Sequence, residues 1–358
     1  MKKRVKGEVD QPVPIVEHPG IRRALLHVLI YAAAAASLAW VLYDFQWGDF
    51  LENLKFLDWR WVVPAIALDI LSYVVQAARW NYVLKPLGAP SLFRSTQAIY
   101  VGLFTNEILP LRSGEFARAY LVSHWTQLGY SVVLSSVAIE RLLDGIWLAI
   151  AFAVTASQVP LPPLIRDGAK VLGLVVVAST TLLIAVLAEG LKVTHALERT
   201  RAGGHGIMSR ILHFIDRLFE GLQAIGHSAS LYCAAGTSVL LLLVQILTVW
   251  TMMRGFGLDY SFWVAAAVLF ILHLGTAIPN APANIGSYQV SCVAALMLFG
   301  VDKATAAGFS LVMFAILTVP LLILGLLALL FSDISLQDIR RQLHHKLAFH
   351  HLASHRGR

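Results

Sequence analysis

The chain has 358 residues, of which 58% are hydrophobic and only 14% charged, against roughly 25% charged in a soluble domain; an ordinary water-soluble core is excluded. Its net charge of +7 is concentrated at the two ends and in one central loop, the pattern of flanks facing anionic lipid headgroups. No aromatic-plus-basic surface module accompanies the charge, so nucleic acid is not an expected partner.

Residues 1–20 form a polar cytoplasmic arm that carries Lys2, Lys3, Arg4 and Lys6 and is interrupted by Pro12, Pro14 and Pro19. A run of about 20 apolar residues is needed to cross a hydrocarbon layer near 30 Å. The first such run, 24–43, has no small-x-small cleavage site before Tyr43 and Asp44 and reads as an uncleaved span. Residues 44–60 are net acidic and hold Trp47 and Trp59, with Trp61 just beyond, which suits interfacial anchoring on the far side. The second span is 61–79, ending at Arg79. Residues 92–118 are apolar but broken at Pro110, and span 132–157 carries Glu140, Arg141 and Asp144. After Pro160, Pro162 and Pro163 comes span 170–188.

Residues 190–230 form a basic cytoplasmic connector. Within it Ile207, Ile211, Phe214, Ile215, Leu218 and Leu222 recur at helical spacing, which suits an amphipathic helix lying on the membrane surface or packing on the protein. Span 232–253 follows, then the apolar segment 262–299, broken between Pro279 and Gly286, then span 305–331. The tail, 333–358, is basic and holds His344, His345, His350, His351 and His355; it reads as a solvated cytoplasmic tail rather than a metal site. Cys233 and Cys292 lie in apolar segments, where packing rather than a disulfide is the expectation.

The predicted fold is therefore an all-α polytopic membrane protein, with six full spans and two broken or re-entrant helical segments in an inverted repeat. Residues 21–189 form the first membrane half and 231–332 the second. With Lys and Arg placed on the cytoplasmic side, both termini and the connector face the cytoplasm of a plasma membrane. Both breaks show Pro followed by Gly four residues later, Pro110 and Gly114 in one and Pro282 and Gly286 in the other, after an Asn (Asn106 and Asn280). Irregular backbone cannot face lipid, where each unpaired amide or carbonyl costs several kcal/mol. Paired breaks in inverted halves point to a transporter binding site, the bland alternative being two Pro-kinked spanning helices.

The charges inside the membrane carry the chemistry. Glu140, Arg141 and Asp144 share an arc of roughly 100° on a helix of 3.6 residues per turn, and a central charge costs at least about 2.5–3.5 kcal/mol to insert. They read as a headgroup site with Arg141 engaging an anion, or equally as a network tying helices together. Arg79, Arg112, Glu115 and Arg118 sit around the first break. Arginine matches phosphate with a planar, bidentate fork, so these residues could line an anion pathway; for Arg79 and Arg118 the plain alternative is a positive cytoplasmic flank. His273 reads as a packed histidine. Asn106, Asn280 and Asn284 are candidates to cap broken helices or contact substrate.

At these residues the chain resembles the lysylphosphatidylglycerol synthase transmembrane-region family, the flippase-like membrane proteins. The matching pieces are Arg79-Trp80 with Leu84 and Gly88, Asn106, Leu109-Pro110-Leu111-Arg112-Ser113-Gly114-Glu115 with Arg118, Glu140-Arg141-Leu142-Leu143-Asp144, and Pro279 to Gln289. The resemblance implies re-entrant helices and lipid substrates: an anionic phospholipid, a glycolipid or a polyprenyl-phosphate-linked headgroup. In the multiple peptide resistance factors a similar region flips an aminoacylated phosphatidylglycerol. Many members carry an acid where Gln289 stands, and no synthetase domain is expected here.

The leading expectation is a lipid translocase binding between the breaks at Arg79, Asn106, Arg112, Glu115, Arg118, Glu140, Arg141, Asp144, Asn280, Asn284 and Gln289, with Pro110, Gly114, Pro279, Pro282 and Gly286 shaping the breaks. Glu115, Glu140 and Asp144 are the proton-carrier candidates. No cofactor or metal is expected, and no Gly-x-x-x-x-Gly-Lys-Ser/Thr occurs to hold ATP phosphates. The alternatives are an accessory protein delivering lipid to a lipid-modifying enzyme, and an intramembrane headgroup enzyme using the same carboxylates.

Overall fold

The computed structural model describes residues 21–158 except 44, 56 and 109–112, scattered positions from 159 to 225, and residues 229–332 except 278–280. The polar arm, most of span 170–188 and of the connector, and the tail lie outside the described residues, as do Pro110, Arg112, Pro279 and Asn280.

The described residues form helices α1 (Ile21–Leu42), α2 (Trp47–Leu54), α3 (Trp59–Leu84), α4 (Leu92–Ile108), α5 (Gly114–Thr126), α6 (Tyr130–Gln158), α7 (Ser230–Gly255), α8 (Phe262–Ala277), α9 (Ser287–Met297) and α10 (Lys303–Leu330). The helix starts have local causes. Asp58 caps α3 by accepting from the Arg60 N–H at 3.0 Å, and Asp302 caps α10 by accepting from the Thr305 N–H at 2.9 Å. Such caps satisfy amides that have no partner inside the helix.

α3, α7 and α10 are long and apolar enough to cross a membrane. α6 is as long, with 29 residues, but Glu140, Arg141 and Asp144 interrupt its apolar run. Each predicted span that is described returns as a helix within a few residues, with one consequential shift. α3 does not stop at Arg79 but runs on to Leu84, so Arg79 is not a flank of the helix. It lies inside, 1% exposed, because ion pairs from α6 compensate its charge.

Two successive series of four helices have similar lengths. A 26-residue helix, helices of 17 and 13 residues on either side of a break, and a 29-residue helix make up α3–α6. The same order with 26, 16, 11 and 28 residues makes up α7–α10. The two leading helices, α3 and α7, share the most extensive contact among the described helices and run antiparallel. At one end the Asp58 N–H donates to the Gly255 carbonyl at 2.9 Å and Trp61 meets Trp250 edge-on at 5.7 Å. At the other end Arg79 Nη1 reaches Ser238 Oγ at 3.4 Å. Two further contacts link helices from different series. α4 packs on α10, where Gln97 Nε2 donates to the Ala328 carbonyl at 2.9 Å. α8 packs on α6, where the rings of Phe152 and Phe270 stand 5.9 Å apart.

Both broken segments fold back on themselves instead of continuing as kinked helices. At 1.5 Å rise per residue, α4 and α5 reach about 25 and 20 Å, and α8 and α9 about 24 and 17 Å, short of the roughly 30 Å of hydrocarbon. In the first hairpin Gly102 of α4 lies against Gly114 of α5 so closely that a Cβ on Gly114 would run into the Gly102 carbonyl. In the second, a Cβ on Gly275 of α8 would run into the Ser291 hydroxyl of α9. The turn of the second hairpin holds three residues of positive φ: Ala283 and Asn284 at φ 59° and 53°, and Gly286 at φ 89°. At Gly286 the carbonyl of Ala34 in α1 comes within 2.5 Å of where a Cβ would stand, so glycine is needed for both conformation and space.

Two apolar cores hold these parts. One gathers Phe270, Leu296, Phe309 and Met313 from α8–α10 with Val62 and Ala65 of α3. The other gathers Trp80, Leu84, Ile99, Leu121 and Val137 from α3–α6. Large apolar side chains also point outward, among them Leu71, Leu240, Leu243, Val319, Ile323 and Leu326, an outer surface suited to lipid and costly in water.

Candidate functional site: a chain of charges and a cavity between the halves

α3, α5 and α6 bring six of the predicted site residues into one continuous chain of alternating charge. Arg118 Nη1 stands 2.8 Å from Glu140 Oε2. Glu140 Oε1 accepts from Arg79 Nη2 at 3.2 Å. Arg79 Nη1 donates to Asp144 Oδ1. Asp144 Oδ2 accepts from Arg141 Nη1 at 3.2 Å, and Arg141 Nη2 pairs with Glu115 Oε1 at 2.9 Å. Three arginines meet three carboxylates, so the chain is electrically neutral. Its two ends, Arg118 and Glu115, sit three residues apart on α5, so the series loops back on itself across α6 and α3.

Exposure divides this chain. The side chains of Arg79, Arg118 and Glu140 are at most 4% exposed, whereas those of Glu115, Asp144 and Arg141 are 27%, 33% and 47% exposed. The buried end is also packed. Arg118 lies over the Trp80 ring at 4.7 Å, and the Trp80 indole N–H donates to Ser136 Oγ at 2.9 Å. An arginine on an aromatic face gains cation–π attraction, more so when shielded from water. The buried trio joins α3, α5 and α6. Of the three arginines in this chain of charges, Arg141 is the most exposed.

Of the other predicted residues, those that are described lie at the two breaks. Asn106 Oδ1 accepts from the Gly114 N–H at 2.7 Å, closing the first hairpin at the start of α5. Gln289, 2% exposed, accepts from the Gly286 N–H through Oε1 at 2.7 Å, closing the second. Each amide supplies an acceptor to a glycine N–H at a helix start, Asn106 from the arm before its break and Gln289 from the arm after its break. Pro282 and Asn284 form the intervening turn, which packs on α4 of the opposite half. Asn284 and Gln289 thus stand apart from the arginine chain.

A separate feature was not singled out from the sequence. A cavity of about 170 Å³ opens between α3, α7, α8, α9 and α10, lined among others by Asp69, Tyr73, Gln245, His273 and Tyr288. Asp69 is 8% exposed, and its Oδ2 has no hydrogen-bond partner among the described residues. The signal was in the sequence: Asp69 is a lone acid in an apolar span, which deserved the same weight as Glu140. His273, expected to be packed, does line this cavity, with Nδ1 3.1 Å from the Leu269 carbonyl. Among the described residues no cluster of three or more His, Cys, Asp or Glu side chains is placed to hold a metal ion.

Comparison with known proteins agrees with this architecture in the membrane. A family model described as the lysylphosphatidylglycerol synthase TM region matches residues 25–325. A UPF0104 membrane protein of Methanocaldococcus jannaschii is 24% identical over 288 residues, covering 76% of this chain and 84% of its own. Another, of Methanothermobacter thermautotrophicus, is 24% identical over 271 residues, covering 71% and 78%. Glycosyltransferase AglD of Haloferax volcanii is 22% identical over 308 residues, covering 76% of this chain but only 49% of its own; the chain spans about half of that relative. No solved structure matches the chain.

Proposed function

The chain belongs to the lysylphosphatidylglycerol synthase TM-region family, and on that premise we propose that it is a lipid translocase, moving an anionic or lipid-linked headgroup across the plasma membrane between its two halves. The observation that carries this reading is the pairing of two hairpins. Each is too short to cross, each sits at the same place in a matching set of helices, and the leading helices of the two sets run antiparallel. Inverted halves with broken helices are the arrangement from which alternating access is built. In the proposed topology there are six full spans, both termini are cytoplasmic, and the hairpins enter from opposite sides. A rocking of one half on the other would then expose the space between them to each side in turn.

The headgroup would meet the exposed end of the charge chain. An incoming phosphate offers Arg141 a bidentate, charge-assisted pair, replacing Glu115 and Asp144, which are exposed enough to turn to water. Arg112, beside the first break, is the second arginine proposed to meet it. The buried end, Arg118–Glu140–Arg79, would stay intact and hold the site's walls during this exchange. The lipid tails would remain in the bilayer throughout, so the protein need shelter only the polar part.

The test is transbilayer movement in proteoliposomes. Purified protein is reconstituted with fluorescent anionic phospholipid or polyprenyl-phosphate lipid, and the outer leaflet is bleached by dithionite. Native protein is expected to bring extra lipid within reach of the quencher, and Arg141→Ala and Arg112→Ala are expected to reduce that fraction at equal folding. Failure of every such lipid to move with natively folded protein would refute the reading.

The similarity to a glycosyltransferase supports a second reading, in which the chain presents a lipid-linked glycan carrier to a separate enzyme. Under it, lipid binds in the same assay but does not change leaflet, and an added partner enzyme modifies it faster.

A further inference from the structure

We propose that Asp69 carries a proton through the working cycle and that the cavity around it couples proton movement to lipid movement. This rests on the translocase reading and deepens it by assigning a driving ion and a site. It also departs from the carboxylates that the sequence suggests for the task.

Glu115, Glu140 and Asp144 are each bound to one or two arginines. A carboxylate held by fixed positive charge is a poor proton carrier, because protonating it strands the arginine. Asp69 has no such partner among the described residues. It is the eleventh residue of the 26-residue α3, about 15 Å from the start of that helix, and is 92% shielded by its 8% exposure. A carboxylate placed there without a counter-charge pays a desolvation cost of several kcal/mol, and one bound proton removes that charge altogether.

The surroundings fit a site that takes up and gives back a proton. The titratable groups around Asp69 are Tyr73 of its own helix, which hydrogen-bonds it, Tyr100 of α4, His273 of α8 and Tyr288 of α9, with Glu107 of α4 facing Tyr73. α7 and α10 contribute to the cavity wall only groups without charge, such as Gln245, Thr248 and Met313. Asp69 Oδ2 and the Tyr288 hydroxyl both lie at the cavity and lack hydrogen-bond partners among the described residues. Among the described residues no lysine or arginine lines it.

The position explains how proton and lipid would be linked. The wall is drawn from α3 of one half and α7–α10 of the other, so any rocking between halves changes the surroundings of Asp69. A charged Asp69 would oppose closure of the cavity around it, and a protonated one would permit it. This is a bistable element biased by one ligand, the requirement for coupling.

Three measurements on the full chain test this. First, dicyclohexylcarbodiimide attacks protonated carboxyls in apolar settings. The peptide bearing Asp69 is expected to gain the label in proteoliposomes, more at acidic than at alkaline pH, and absence of label there overturns the proposal. Second, an imposed pH gradient is expected to speed lipid movement several-fold, with vesicle-entrapped pyranine reporting proton flux only when transportable lipid is present. Movement that ignores the pH gradient, or follows a sodium gradient without proton flux, overturns the coupling while leaving the translocase intact. Failure of lipid to move under any gradient overturns both. Third, Asp69→Asn is expected to keep lipid binding but lose the response to pH. Should that variant not fold, the first two measurements on the native chain still decide the question.

Discussion

Arg118 Nη1 and Glu140 Oε2 stand 2.8 Å apart, with the two side chains only 4% and 0% exposed. Glu140 serves Arg79 with its other oxygen at 3.2 Å. One carboxylate from α6 thus balances arginines from two other helices, and its removal would leave two cations buried. Breaking a buried pair typically costs about 3–5 kcal/mol. Glu140→Gln is therefore expected to destabilise the protein by about that amount, measured as thermal unfolding in detergent, with little stable protein recovered.

Arg141 should behave in the opposite way. Its side chain is 47% exposed and its partners are half-exposed acids, and exposed pairs contribute only about 0–1 kcal/mol. Arg141→Ala is expected to unfold within a degree or two of the native chain and yet to lose most lipid movement. Equal losses of stability for Glu140→Gln and Arg141→Ala would mean that all six charges act as one structural unit.

The hairpins predict sensitivity to a single methyl group. Gly114→Ala would press against the Gly102 backbone, which cannot swing aside, and overpacking of this kind typically costs about 1–3 kcal/mol. Gly275→Ala presses instead on the Ser291 side chain. There the double substitution Gly275→Ala with Ser291→Ala is expected to recover part of the loss. A double-substitution cycle on unfolding temperature checks this, and additivity would refute the contact.

Gly286→Ala combines two penalties, a positive φ and the Ala34 backbone of α1. A non-glycine residue in such a region costs of order 1–3 kcal/mol. Loosening of α1 from α9 is the expected consequence, seen as faster proteolysis near the N-terminus.

The cap of α10 gives a pH dependence with a defined sign. The Thr305 N–H, and then its side chain, hold the Asp302 carboxyl below the ordinary carboxylate range. Its contribution is therefore present above the unfolded value, near 4, and fades as pH falls through the lower folded value. Asp302→Ala is expected to cost about 1 kcal/mol at neutral pH and progressively less in acid. Asp302→Asn, which keeps an acceptor without titrating, is expected to remove the pH dependence while sparing most of the stability.

The sequence by itself determined the solvent, the helices and the breaks. Apolar runs of span length can only be helices in lipid, because a helix satisfies its own backbone, and Pro110 and Pro282 with Gly114 and Gly286 mark where that pattern must fail. It also flagged Glu140, Arg141 and Asp144, since a charge at depth needs a reason. The partners of those charges were decided only by the tertiary structure. Arg79 reads as a flank along the chain but is buried, because α6 supplies carboxylates from 61 and 65 residues away. Asn106 and Gln289 stand beside the breaks along the chain, and only the folded turns show them accepting from Gly114 and Gly286. Asp69 is legible along the chain as a lone acid in an apolar span, but that no cation among the described residues answers it emerges only once α7–α10 close around it. Hydropathy and helical period are local and can be read along one dimension, whereas charge compensation depends on distances between segments, and those exist only after the helices have packed.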